Sequence, residues 1–140
     1  MARLVRLRRT VRMVSGDERG STSLELVVVF PAVLLIIFGL VQGALWYHAR
    51  DVARAAAAGG AAAARAEGSS ADDGRLEATS FLSANGDAVL NAQVDARRDA
   101  TRVEVVVIGH SVSLLPGVPG PAVRESVTGP VERFTSRSAP

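Results

Sequence analysis

The chain has 140 residues, 48% of them hydrophobic, with 16 basic and 14 acidic side chains and no cysteine. That length holds one small domain. The absence of cysteine removes any disulfide framework or thiolate metal site. Charge is uneven: residues 1–20 hold six Arg against Asp17 and Glu18, a net of +4, and the remainder is net −2. The basic balance therefore belongs to the first segment, not to a basic face on a folded domain as nucleic-acid binding requires. Every basic residue is Arg, which with the high alanine content reads as codon bias.

Residues 1–20 form a basic leader, read as a cytoplasmic flank or as a segment removed after Gly20. Leu26 to Tyr47 is a run of 22 residues without a formal charge. As a helix it reaches about 33 Å, against about 30 Å for a bilayer core. Residues 21–47 are thus expected to cross a lipid bilayer, with Ser21, Thr22 or Ser23 as N-cap and Glu25 in the first turn. Arg before the run puts the N-terminus in the cytoplasm and the C-terminus outside. Pro31 removes one helical hydrogen bond and favours a kink. Gly39 and Gly43 form a G-x-x-x-G pair suited to close helix packing. Trp46 and Tyr47 close the run as an interface anchor. A secretory signal has an apolar core of about 7–15 residues cleaved after it. This run is longer, although A-x-A sites occur near Ala56–Ala58.

Residues 48–66 extend the helix beyond the membrane on high-propensity alanine, with Gly59-Gly60 as a hinge. Residues 67–130 are expected to be a small exported α+β domain. It opens on a loop over 67–75, then a short helix to about Ala84, capped by Asp72 or Asp73 and ended by Asn85-Gly86. Leu76, Ala78, Thr79, Phe81 and Leu82 are its apolar face. From about residue 89 the period changes to two. A first strand carries Ala92, Val94 and Ala96, and 98–100 turn. The strongest strand follows over 102–108 with Val103, Val105 and Val107 on one face, Gly109 as a bulge, and Val112 and Leu114 as a continuation. After the break at 115–121 a third strand spans Ala122–Thr128. Residues 131–140 read as a polar tail from which Val131 and Phe134 can dock. The fold class is α+β: a long N-terminal helix, a short helix and an antiparallel meander of about three strands. So thin a domain needs burial against the long helix or against other subunits.

Catalytic and metal motifs do not emerge. His48 and His110 belong to no ligand spacing, and Asp72-Asp73 is more simply a helix cap. The expectation is a non-enzymatic protein with no cofactor, no metal, no small-molecule substrate and no nucleic-acid partner. The chemistry that shows is processing. Gly20 lets a protease approach the backbone, and cutting there leaves the apolar run on the product. Glu25 becomes the fifth residue after the cut. In a low-dielectric bundle its carboxylate can pair with the new amine of an adjoining subunit.

Basic leader, Gly20, Ser21, Glu25, Pro31, Gly39 and an Ala-rich helix together resemble a type IV pilin-like signal. More narrowly they resemble TadE-like pseudopilins of the tight-adherence (Tad/Flp) system, best over about residues 19–66. Leu26 stands where pilins of this system often carry Tyr. The resemblance implies cleavage after Gly20 by a prepilin peptidase and a part in assembling an adhesive pilus. It implies, as partners, other pilins and pseudopilins and the Tad inner-membrane assembly machinery. By the same resemblance, Gly20 is the cleavage-site glycine and Glu25 the assembly glutamate. Two other function classes remain: an uncleaved single-pass protein whose exported domain binds an envelope partner, and a secreted protein released near the alanine run.

Overall fold

A computed structural model describes the backbone over residues 18–132 and the side chains over residues 26–132. Element order is α1 (Glu18–Arg65), α2 (Ala71–Ala84), a short 3-10 turn (Gly86–Ala88), β1 (Leu90–Arg98), β2 (Arg102–His110) and β3 (Ala122–Pro130). The chain divides between Leu35 and Ile36 into two units. In the first, the described backbone is helical from Glu18 and the described side chains are exposed or half-buried. The backbone is already helical at Glu18, the first described residue, so Ser21, Thr22 and Ser23 lie inside the helix and none is its N-cap. Ser and Thr are only modestly unfavourable inside a helix, so three of them do not end one.

The second unit is the α+β fold expected from the pattern. Its sheet has the order β1-β2-β3, antiparallel throughout. Val103, Val105 and Val107 of β2 are fully buried, as alternation requires, and Val123 of β3 joins them. They pack on a stripe of α1: Ala49, Val52, Ala53, Ala56, Ala57, Ala61 and Ala64, spaced by three and four residues. Small side chains let the sheet lie close to the helix axis. Ala78 and Leu82 of α2 and Val89 complete the core.

Several local expectations give way here. Gly59-Gly60 does not hinge the helix, which runs through both. A Cβ on Gly60 would stand 2.5 Å from the Gly74 carbonyl oxygen, and one on Gly74 would stand 2.7 Å from the Gly60 carbonyl oxygen. The pair is where α1 and α2 cross in backbone contact. α2 begins at Ala71, not after a loop to 75, and its cap is Ser70 rather than Asp72 or Asp73. The Ser70 hydroxyl accepts the Asp73 N–H at 3.2 Å while the Asp73 carboxylate accepts the Ser70 N–H at 2.7 Å, a capping box. Its buried face is Gly74, Ala78 and Leu82 with Phe81 partly covered, while Leu76 is exposed. Gly109 is no bulge. It pairs with Val123 in register, and the irregularity sits opposite, between Leu90 and Gln93, with Asn91 at φ 51°. A Cβ on Gly109 would meet Val89 Cγ1 at 2.5 Å, so β1 detours where it passes this glycine. β2 ends at His110, and Val112 and Leu114 lie in the loop after it.

Arg98 closes the C-terminus of α1. Its guanidinium donates to the Ala64 carbonyl and, at 3.0 Å, to that of Ala66, meeting carbonyls the helix leaves unpaired. The Glu132 N–H reaches the Arg65 carbonyl at 3.1 Å. Val131 docks on the core, and Phe134 lies outside the described residues. At the β1–β2 turn the Asp99 carboxylate accepts the N–H groups of Thr101 and Arg102, both at 2.7 Å.

Two outcomes are expected. Gly60→Ala should destabilise the full chain in detergent micelles by about 1–3 kcal/mol through overpacking. Gly59→Ala, whose Cβ meets only Glu77 Cγ at 3.9 Å, should hold or raise the Tm. Both follow from thermal denaturation monitored by circular dichroism. The second outcome concerns acid. Asp99 is held below the ordinary carboxylate value by the backbone N–H of Thr101, then that of Arg102, and Asp73 by the backbone N–H of Ser70, then its hydroxyl. Their folded pKa values lie below the unfolded ones, so their contribution is whole above about pH 4 and fades as pH falls through the lower folded values. Melting temperature should drop through that acid window, and Asp99→Asn should lower it at neutral pH while flattening the acid decline.

Candidate functional site

The working surface is built along α1. Of its described length, Leu26–Arg65 contains an 18-residue window of mean hydropathy 2.6, with none of that window buried. In the first unit Leu26, Val27, Val28, Val29 and Phe30 are exposed, as is Pro31. In the second, Ile36, Ile37, Phe38, Leu40 and Val41 are exposed as well. Hydrophobic side chains on every side of a helix call for an apolar surrounding. By length and composition this helix can cross a membrane. Gly39 and Gly43 have nothing within 4 Å of where a Cβ would stand, so their face is open to a neighbouring helix. Gly20, Ser21 and Glu25 fall within the first two turns of α1, and their side chains lie outside the described residues.

Where the run ends, three side chains one helical turn apart hold the β2–β3 connection and β3. The Gln42 amide donates to the Val112 carbonyl at 2.9 Å and accepts the Leu114 N–H at 3.0 Å. The Trp46 indole N–H donates to the Ala122 carbonyl at 3.1 Å. Arg50 donates through Nε to Glu125 at 2.7 Å and lies 5.0 Å from the Trp46 ring centroid, a cation–π contact. Glu125 keeps the Arg50 guanidinium firmly protonated, by that hydrogen bond first and by its charge second. Tyr47 is exposed, edge-on to Trp46 at 5.5 Å, and lines a shallow depression with Arg50 and Glu125. Trp46 is thus shared between the apolar run and the folded unit.

Sequence reasoning singled out Trp46 and Tyr47 but passed over Gln42, Arg50 as a partner of Glu125, and Ser70. Gln42 had a signal: it is the lone amide in an otherwise uncharged run, and an amide among apolar residues needs a partner. The Arg50–Glu125 pair is 75 residues apart and had none. Among the described residues no three His, Cys, Asp or Glu gather as a metal cluster. A surface depression lined by Thr101, Arg102, Thr128, Gly129 and Pro130 brings together no base and nucleophile pair.

A helix long and apolar enough to cross a membrane, whose later turns are the spine of a small α+β head, is compatible with a membrane anchor. Residues 20–62 match the family model described as TadE-like protein, and so the resemblance read from the sequence holds for that segment. The match takes in Gly20, Ser21 and Glu25, the exposed run, and most of the alanine stripe. It ends before α2 and the sheet. Neither the curated proteins nor the solved structures provide a match to the chain.

The seam makes a specific expectation. Gln42→Leu keeps the run apolar and the side-chain size similar, yet removes both loop hydrogen bonds. Amide exchange at Leu114 and its neighbours should speed up by about tenfold, the equivalent of about 1.4 kcal/mol. Exchange at Val105–Val107 should stay unchanged, and hydrogen–deuterium exchange with peptide resolution reads both.

Proposed function

We propose that the protein is a membrane-anchored minor pseudopilin of the TadE-like kind. It takes part in assembling a Tad/Flp-type adhesive pilus after cleavage between Gly20 and Ser21. The observation that carries this reading is the family match over 20–62 on a helix whose apolar side chains are exposed. A pilus-associated family fits that helix, because such a subunit must sit first in lipid and then against other helices.

In this reading residues 1–20 are a leader on the cytoplasmic side, 21–47 the transmembrane helix, 48–66 its extension, 67–130 the exported domain and 131–140 a tail. The arginines of the leader hold the N-terminus inside the cytoplasmic membrane, with the C-terminus outside. A prepilin peptidase removes the leader. The remaining partners are other pilins and pseudopilins and the Tad inner-membrane machinery. The protein acts by assembly, not catalysis. Glu25, carried at the start of the apolar run, is costly in lipid without a partner. The free amine of an adjoining subunit supplies one and fixes the axial register. Gly39 and Gly43 admit a neighbouring helix, Pro31 bends the run, and Trp46 and Tyr47 mark the outer interface.

The test is intact-mass spectrometry with N-terminal sequencing of the protein from its native membrane. A chain beginning at Ser21 is expected, together with loss of piliation on Glu25→Ala while the variant is still cleaved and membrane-bound. A chain that retains residues 1–20 in cells with an active prepilin peptidase would overturn the reading and leave a single-pass protein with an exported binding domain. A start near Ala58 would make the apolar run a secretory signal.

A further inference from the structure

We infer that the β2–β3 loop, Ser111–Pro121, is a second membrane contact that dips into the lipid interface beside α1. This rests on the reading of the apolar run as a bilayer helix. The loop is held to that run itself: Gln42 grips Val112 and Leu114, four residues nearer the centre of the run than Trp46. Four helical residues are about 6 Å, so with Trp46 at the interface the grip falls below it. Interfacial elements bury their apolar faces about 5–10 Å deep.

The composition of the loop fits lipid and not water. Val105 to Val123 contains no Asp, Glu, Lys or Arg. Exposed loops are ordinarily polar, yet at the tip of this one Leu115 is 64% exposed and Val118 is 52% exposed, with Val112 also open. The Gln42 bonds hold this loop beside the turn of α1 that carries the exposed Phe38 and Val41.

Much of the loop backbone is also prepared for a dry setting, where unpaired polar groups are costly. Pro116, Pro119 and Pro121 have no N–H to desolvate. The Leu114 N–H goes to Gln42, that of Leu115 to the Ser113 hydroxyl at 3.1 Å, that of Val118 to the Leu115 carbonyl at 3.2 Å, and that of Ser111 to the Pro121 carbonyl at 3.0 Å. The base is clamped as well: a Cβ on Gly120 would stand 2.0 Å from the Ser111 carbonyl oxygen, so only glycine fits. Charged residues resume beyond it, at Arg124 and Glu125. The occupant that suits an uncharged, proline-rich tip beside a membrane helix is the lipid surface.

The chain has no cysteine, so single cysteines report position without competition. Phe38→Cys, Leu115→Cys, Val118→Cys and Arg97→Cys would each carry a polarity-sensitive fluorophore in the full chain. The host is phosphatidylcholine vesicles with brominated acyl chains, at low protein density. Labels at 38, 115 and 118 should be quenched by bromolipid at least about threefold more than the label at 97 on the sheet, as interfacial burial requires. Quenching at 38 with 115 and 118 behaving like 97 would overturn the loop contact and leave the anchor standing. Labels at 115 and 118 shielded from both bromolipid and aqueous iodide would overturn it in favour of a contact with a second copy. No quenching at 38 would remove the bilayer helix and the inference with it.

Discussion

The contact between the alanine stripe of α1 and the valine face of β2 is the interaction on which the folded unit depends. A three-stranded sheet of nine-residue strands has one face to bury and little mass with which to bury it. Ala49, Ala53, Ala56, Ala57, Ala61 and Ala64 add little hydrophobic area of their own. Their contribution is proximity: with mostly methyl groups on the helix side, the layers lie close and Val103, Val105 and Val107 are sealed from water. The same economy operates between the helices, where Gly60 and Gly74 bring backbone against backbone. Larger residues on the stripe would push the layers apart and reopen the β2 face.

One helix therefore answers to two surroundings. From Leu26 to Val41 its side chains are uncharged and none is buried. After Ala49 its covered side is alanine and its open side carries Asp51 and Arg54. The change is made over two turns by Gln42, Trp46 and Arg50, which present an amide, an indole N–H and a guanidinium. Each is paired with the β2–β3 connection or β3. The fixed spacing of four residues keeps all three on one face. The head is thereby fastened to the end of the apolar run by groups that would be costly to leave unpaired.

Much of this was legible in the sequence, and the failures have common causes. The meander was read from period two, because the buried face of β2 is a valine at every second position and nothing disturbs it. The long helix was read from its uncharged run and its alanines. Errors arose where a residue's role depends on something remote in sequence. Gly59-Gly60 looks like a break by propensity, yet close packing against α2 outweighs that cost. Gly109 looks like a bulge, yet its smallness serves Val89 and Leu90 on the neighbouring strand, and the irregularity passes to Asn91. Asp72 and Asp73 looked like caps, but the box needs Ser70 three residues before Asp73, which places Asp73 inside the first turn. The Arg50–Glu125 pair joins elements that no local pattern connects.

The extent of the family match follows the same physics. Residues 20–62 take in the uncharged run and most of the small-residue stripe on which the sheet sits, where a larger side chain has little room. The sheet asks only for alternation on one face and tight turns, which many sequences satisfy. The head keeps its seat on α1 as long as the stripe stays small and the seam at Gln42, Trp46 and Arg50 keeps its partners.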